Sequence, residues 1–341
     1  MKKNLPLILI LFSINIYAQR ELNYERFLIA GEKEGTTLIS DYLNPGMKGM
    51  MITSGSSWYS TAETHAQFGY DIALNTSSTF IPSSGESFKF NTSFNNIYLP
   101  DGETSLPTVA GSTSETPLMM ASLDNDGNTL TAGINAPTGV GISPNVTPYT
   151  MLQLGFGVGW GTDIKFRFVP KLGYDSFKTG MWGIALQHDV FQYIPYEGKV
   201  PVHISILGGY SSTTAKWTLD PVDSQWAGSD QHTDFKVRTW TFQLLASTTF
   251  SIFDIYTGLG YDTSKSSYNM KGSYEVEYNT NYNSNDITKV TYSNPANGNF
   301  KYRGFNATFG TRINIKSFKI FADYSFNSYN SLTLGIAYSV N

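Results

Sequence analysis

The C-terminal stretch from Phe300 to Asn341 constrains the fold more than any other, because its side chains alternate in character over lengths that few soluble strands reach. In the last segment Leu332, Leu334, Ile336, Tyr338 and Val340 fall on one face, and Ser331, Thr333, Gly335, Ala337 and Ser339 on the other. Before it, Phe318, Ile320, Tyr324 and Phe326 oppose Lys319, Asp323, Ser325 and Asn327, and further upstream Phe305, Ala307, Phe309, Ile313 and Ile315 oppose Asn306, Thr308, Gly310, Arg312 and Asn314. A strand of a soluble sandwich usually runs about five or six residues. These runs reach ten or more, which is what a tilted strand needs to cross a bilayer.

Two strands of a hairpin must present the same face, so pairing parity tests the reading. A two-residue turn at Ile315 and Lys316 sets Asn314 opposite Ser317, Arg312 opposite Lys319, Gly310 opposite Phe321 and Thr308 opposite Asp323. A turn at Ser251 and Ile252 sets Phe250 opposite Phe253, Leu244 opposite Leu259 and Phe242 opposite Tyr261. Polar meets polar and apolar meets apolar, with Phe321 the exception.

The N-terminus has a different character. Lys2 and Lys3 precede the apolar run Leu5 to Phe12, and Ile16-Tyr17-Ala18 stands before Gln19, the layout of a secretory signal peptide cleaved after Ala18. No later run of eighteen apolar residues exists to form a membrane helix. Cysteine is absent, which removes disulfides and a lipid anchor on an N-terminal Cys. Without Lys2 and Lys3 the chain keeps 21 basic against 27 acidic residues, and no basic cluster suggests a nucleic-acid partner. Charged and aromatic residues each make up 15%; this aromatic-rich, charge-poor balance fits a lipid-facing band with aromatic girdles. Export, alternating strands and no apolar helix point to a bacterial outer membrane, with its lipid as the immediate partner.

In chain order the sequence predicts a signal peptide at 1–18, an N-terminal helical plug segment at 19–46 that stops at Asn44-Pro45-Gly46, and an all-β transmembrane antiparallel barrel over 47–341. Met47 to Ser57 is a poorly patterned strand candidate, Phe68 to Ile81 is a better one, and Pro82 to Glu86 then turns the chain into the next strand, Ser87 to Leu99. Segments 100–148, 211–234 and 264–299 lack strand pattern and read as long extracellular loops. Short turns near Lys316, Ser251, Glu197, Gly161 and Ser84 then face the periplasm. The count is twelve strands, or fourteen if two lie within 100–148, with the N-terminal segment at or in the periplasmic mouth.

Chemistry is sparse. The four histidines, His65, His188, His203 and His232, do not converge with a nucleophile and a carboxylate, and there is no GxSxG or HExxH. No catalytic site, metal set or cofactor is expected, and the chain does not read as an enzyme. Gly155, Gly157 and Gly159 follow strand alternation and read as small lumen-facing residues. By parity the inward-facing ionisable residues are Asp163, Lys165, Arg167, Asp189, Asp254, Arg312, Lys319 and Asp323, four acids and four bases. They read either as a charge-balanced wall or as a polar path. Inward Leu207 and Phe321 suit a narrow, partly apolar interior.

Tyr42-Leu43-Asn44-Pro45, Gly49, Trp58-Tyr59-x-Thr61-Ala62-x-x-His65 and Gly69-Tyr70-Asp71 resemble a group of Bacteroidota outer-membrane proteins classed as a domain of unknown function. Gly161-Thr162-Asp163-Ile164, Trp182-Gly183, His188-Asp189 with Pro195, and Gly258-Leu259-Gly260-Tyr261 extend the resemblance over 24–341. That group is in turn similar to the long-chain fatty-acid transporter family, in which an N-terminal plug sits inside a fourteen-stranded barrel. The resemblance implies a plug at Tyr42, Leu43, Asn44 and Pro45 and passive uptake of a small hydrophobic ligand. The alternative is an accessory barrel that docks a protein partner through its extracellular loops.

Overall fold

The computed structural model describes residues 22–340 apart from 101, 115, 126–127, 142–144, 175, 196–200, 220–226 and 281–286. The expected signal peptide lies outside the described residues. Ten strands close a ring: β1 (Tyr70–Phe80), β2 (Val146–Gly159), β3 (Thr162–Tyr174), β4 (Phe177–Asp189), β5 (Val202–Thr218), β6 (Gly228–Phe250), β7 (Phe253–Asn279), β8 (Asn297–Ile315), β9 (Phe318–Phe326) and β10 (Ser331–Val340). Each pairs antiparallel with its neighbour in sequence, and β1 returns to β10 from Tyr70↔Val340 to Thr79↔Ser331, so the ring has no open edge.

The strand count is therefore corrected. Met47 to Ser57 does not form a strand; most of it continues the helix α1, which spans Gly31–Gly55 and runs through Pro45. Ser87 to Leu99 contributes only the short strands Ser87–Lys89 and Ile97–Tyr98, neither of them in the ring. Segment 100–148 does hold two strands of the main sheet, Leu118–Asn125 and Asn128–Asn135, but they form a hairpin at the long-loop end, and a third, Ser105–Pro107, pairs with Ser87–Lys89 in a separate small sheet. With the hairpin, Ile97–Tyr98 and Ile287–Ser293, the main sheet has fourteen strands, of which ten close the barrel.

Two local expectations also change. The turn before β9 lies at Lys316 and Ser317, so Ile315 pairs with Phe318, Gly310 with Asp323 and Thr308 with Ser325. Lys316 takes a left-handed conformation with φ 54°, and the register moves by two residues. An even shift preserves the faces. At Ser251, with φ 59°, the register is as expected. The turn around Ser84 follows the upper end of β1, so it belongs to the long-loop end rather than the periplasmic one.

The outer wall explains why the strands are legible. Leu154, Phe166, Ile184, Leu244, Ile255, Leu259, Phe309, Ile320 and Ile336 all point outward and are exposed. Trp182, Tyr210 and Trp240 rim the band toward the long loops, with neighbouring ring centroids 5.4 and 4.8 Å apart. Phe318 and Tyr338, 5.4 Å apart, rim it at the other end. From Trp240 to Phe250 the strand rises about 3.4 Å per residue at a tilt of about 40°, a band about 25 Å tall. No helix among the described residues is long and apolar enough to cross a membrane.

Candidate functional site

The lumen is filled by the chain's own N-terminal segment, which enters at the long-loop end and leaves at the other. This corrects the placement at the periplasmic mouth: Tyr24 already bonds to Thr233 near the long-loop end of β6, its hydroxyl 2.6 Å from Thr233 Oγ1. The 3₁₀ turn Tyr24–Ala30 and α1 then descend, and residues 56–69 carry the chain on to β1.

The outer half of the lumen is an apolar core. Phe27, Leu28, Leu38, Ile39, Tyr42 and Met51 pack against Trp217, Phe235, Tyr268, Met270, Tyr274 and Tyr278 of the wall and against Phe90, Leu106, Met119 and Leu130 of the loops. Few polar contacts are needed here; Tyr278 donates to Ile29 O at 3.0 Å and Tyr42 to Thr138 O at 2.7 Å. The Glu34 carboxylate accepts the Asn95 and Asn96 N–H groups at 2.7 and 3.0 Å. Among the motif residues Tyr42, Leu43 and Pro45 are buried and Asn44 is exposed. Pro45 costs a helix interior about 3 kcal/mol, and burial of its neighbours Tyr42, Leu43 and Met47 offsets that. Lys33, Thr37, Asp41 and Asn44 form an exposed stripe at helical spacing, so one face of α1 meets solvent. Below it Lys48 stands 4.3 Å over the Tyr329 ring, and partial burial lowers the pKa of its ammonium.

The inner half combines many polar contacts with a small apolar cluster, in which Trp58, Tyr59 and Ala62 pack against Ala185, Leu207, Leu245 and Tyr256. At the end of α1, Gly49 lets the helix approach β2, since a Cβ there would sit 2.7 Å from Thr147 Oγ1. Thr53 shares its hydroxyl with Thr79 at 2.7 Å, and Ser54 with Thr213 at 3.1 Å. Trp58 then lies flat against a wall cleared for it: a Cβ on Gly183 or Gly209 would come within 3.0 or 3.1 Å of its indole. The Arg167 guanidinium stacks 3.6 Å from the Trp58 ring. The Trp58 carbonyl accepts Lys165 Nζ at 3.3 Å and Gln153 Nε2 at 3.4 Å. Gln187 Nε2 donates to the carbonyls of Thr61 and Ala62 at 3.2 and 3.1 Å, and Ser247 Oγ accepts the Ala62 N–H at 3.0 Å. Asp163 closes the series: one oxygen accepts the His65 N–H at 3.0 Å, and the other lies 2.9 Å from His65 Nδ1.

The eight inward ionisable residues thus do not meet in one cluster. Asp163, Lys165 and Arg167, adjacent inward positions of β3, hold the plug. Asp254 pairs with Arg312, whose Nε is 2.6 Å from Asp254 Oδ2, while Glu63 of the plug stands 4.0 Å from the same guanidinium. Asp189 binds the Phe191 N–H at 2.8 Å and lies 3.1 Å from His203 Nδ1. Tyr256 donates to Asp323 at 3.0 Å, and Lys319 donates to the Lys316 carbonyl at 3.1 Å. Sequence reasoning missed that Trp58 and His65 are partners of β3 and that Ala62 is held by Gln187 of β4 and Ser247 of β6. All three stand in the motif that carries the family resemblance, and its density of functional side chains just ahead of β1 was the signal available.

Beside the plug, toward β7–β10, a polar cavity of about 20 Å³ is lined by Ser57, Gln243, Asp262, Asn306, Asp323 and Ser325 among others, room for a water molecule. Ser57 Oγ, Gln243 Oε1 and Ser331 Oγ make no hydrogen bond among the described residues, nor do the two terminal nitrogens of Arg167. On the lipid side of the wall, Leu186, Ile206, Phe242, Leu244, Leu259 and Phe305 are all exposed and form one continuous apolar surface. No group of three His, Asp or Glu residues among those described could hold a metal.

A closed ring of strands, an apolar outer band and a lumen occupied by the N-terminal segment define a transmembrane β-barrel with an internal plug. The chain belongs to the family of unknown function DUF6588, whose model matches residues 1–340. No curated protein matches it. Among solved structures it is similar to the outer membrane protease OmpT from Escherichia coli (8% identity, TM-score 0.30, covering 82% of this chain and 100% of that one). It is also similar to the translocator domain of autotransporter NalP from Neisseria meningitidis (11%, 0.28, 91% and 99%). A third is Ail, the attachment invasion locus protein of Yersinia pestis (7%, 0.27, 80% and 99%). Likenesses this low add nothing to what the ring of strands shows.

Proposed function

We propose that the protein is a bacterial outer-membrane barrel for passive uptake of a small molecule, with its N-terminal segment as the gate. One observation carries the reading: below Thr53 the apolar packing shrinks to a small cluster of Trp58, Tyr59 and Ala62 on Ala185, Leu207, Leu245 and Tyr256, and the plug is otherwise fastened to the wall by hydrogen bonds and ion pairs. Such contacts exchange readily for water, so this part of the plug can move while the outer half stays folded. A polar cavity already lies alongside it. Two observations bear on the solute. The apolar lining of the outer half of the lumen supports the small hydrophobic molecule expected from the resemblance. The Asp262 and Asp323 cavity supports a small hydrophilic one.

The test is permeability of the barrel refolded in vesicles, with glycerol swelling for hydrophilic passage and transfer of a fluorescent fatty acid for hydrophobic passage. His65→Ala and Asp163→Asn are expected to raise one of the two rates. Folded variants with both rates unchanged would overturn the proposal and leave the accessory barrel, docking a protein through its long loops, as the surviving reading.

A further inference from the structure

The outer face of the wall changes sign of character abruptly at the long-loop end. On β6 the outward residue after Trp240 is Arg238 and the next is Lys236; on β7, Tyr261 is followed by Thr263 and Lys265; on β8, Phe305 is followed by Arg303 and Lys301. The register sets these charges side by side: Arg238 pairs with Lys265, Lys265 pairs with Lys301, and Arg303 pairs with Thr263. All five cations are exposed, and among the described residues none of them forms an ion pair. The nearest outward carboxylate on these strands, Asp234, lies beyond Lys236 and is 3.9 Å from His232.

Like charges directly opposite one another weaken a sheet, and the chain as a whole is acidic, so neither pairing nor composition accounts for the row. Its height does. Two residues past the aromatic rim is about 7 Å along the strand, the depth at which lipid headgroups begin. We propose that Lys236, Arg238, Lys265, Lys301 and Arg303 form a docking surface for phosphate-bearing lipid headgroups of the facing leaflet. The guanidinium of Arg238 and the ammonium groups of Lys265 and Lys301 would bridge phosphate oxygens, with the Thr263 hydroxyl and Arg303 one outward position nearer the rim. The bound phosphates would relieve the repulsion along the row.

The test uses the full chain refolded in phosphatidylcholine vesicles with and without diphosphorylated lipid A, and reads lipid A retained per barrel after detergent extraction. The native chain is expected to retain it, and the triple variant Arg238→Gln, Lys265→Gln, Lys301→Gln to lose about tenfold or more of the affinity, with heat-modifiable folding intact. Dephosphorylated lipid A, which needs no variant, should be lost from the native chain to the same degree. Equal retention by native and variant, or of the two lipids, would overturn the proposal. Displacement of lipid A by millimolar inorganic phosphate would overturn the headgroup as the source and make the row a general phosphate site; failure of phosphate to displace it supports the headgroup.

Discussion

The two halves of the lumen hold the same segment with different proportions of apolar packing and hydrogen bonding, a large core in the outer half and a small cluster among many polar contacts in the inner one. Around Phe27, Leu38 and Met51 the plug is part of a closed apolar core, and its burial is stabilising whatever the solvent does. Around Trp58, Ala62 and His65 it is bonded to Lys165, Gln187, Ser247 and Asp163, and each bond competes with water. The difference teaches where movement can start. A gate built from one continuous segment needs an anchored end and a releasable end, and the outer half supplies the first and the inner half the second.

The comparison breaks most directly at its apolar side. Leu38→Ala leaves a void in the outer core and should cost about 2–5 kcal/mol in urea unfolding from vesicles, with no rise in permeability; a leak without loss of stability would reverse the assignment of the two halves. Asp163→Ala should cost about 1–3 kcal/mol and raise conductance, since His65 loses both its bonds. Arg167→Met is expected within about 1 kcal/mol of native, because the lost stacking on Trp58 and the lost Nε bond to Gln153 Oε1, 2.9 Å long, are offset by removing two buried terminal nitrogens that lack partners among the described residues. A large loss there would mean that the terminal nitrogens have partners of their own. Lys289→Ala, in the exposed pair with Glu275 and Glu277 at the far end of β7, touches neither half and should leave the unfolding midpoint where it is.

Legibility in the sequence followed the solvent on the outside of the wall. Leu332 to Val340 and Phe305 to Ile315 were readable because lipid on one face and lumen on the other impose alternation. Above the aromatic rim the outer faces of β6 and β7 turn polar, with Arg238 and Lys265 outside, and the apolar residues, Phe235, Val237, Tyr268 and Met270, change to the inner face among Thr239 and Ser266. The same strands therefore read as loops within 211–234 and 264–299. Met47 to Ser57 hid its helix for a related reason: its walls are partly apolar and partly hydroxyl, so it has no single hydrophobic stripe, and Gly49 and Pro45 both argue against helix. The inward parity of Asp163, Lys165 and Arg167 was visible, but their task was not. It depends on Trp58 and His65, about a hundred residues earlier in the chain, and no local pattern records that contact.

The account rests on movement of the inner plug, and the absence of native cysteine allows that movement to be stopped at will. Ser54 and Thr213, whose hydroxyls are 3.1 Å apart, can be replaced together by cysteine, tying the end of α1 to β5 with a bond that forms or breaks on demand. Permeability of the double variant should fall to the protein-free background when oxidised and return to the native rate when reduced. Equal permeability of the oxidised and reduced forms, with the disulfide shown to be complete, would contradict the claim that this segment is the gate.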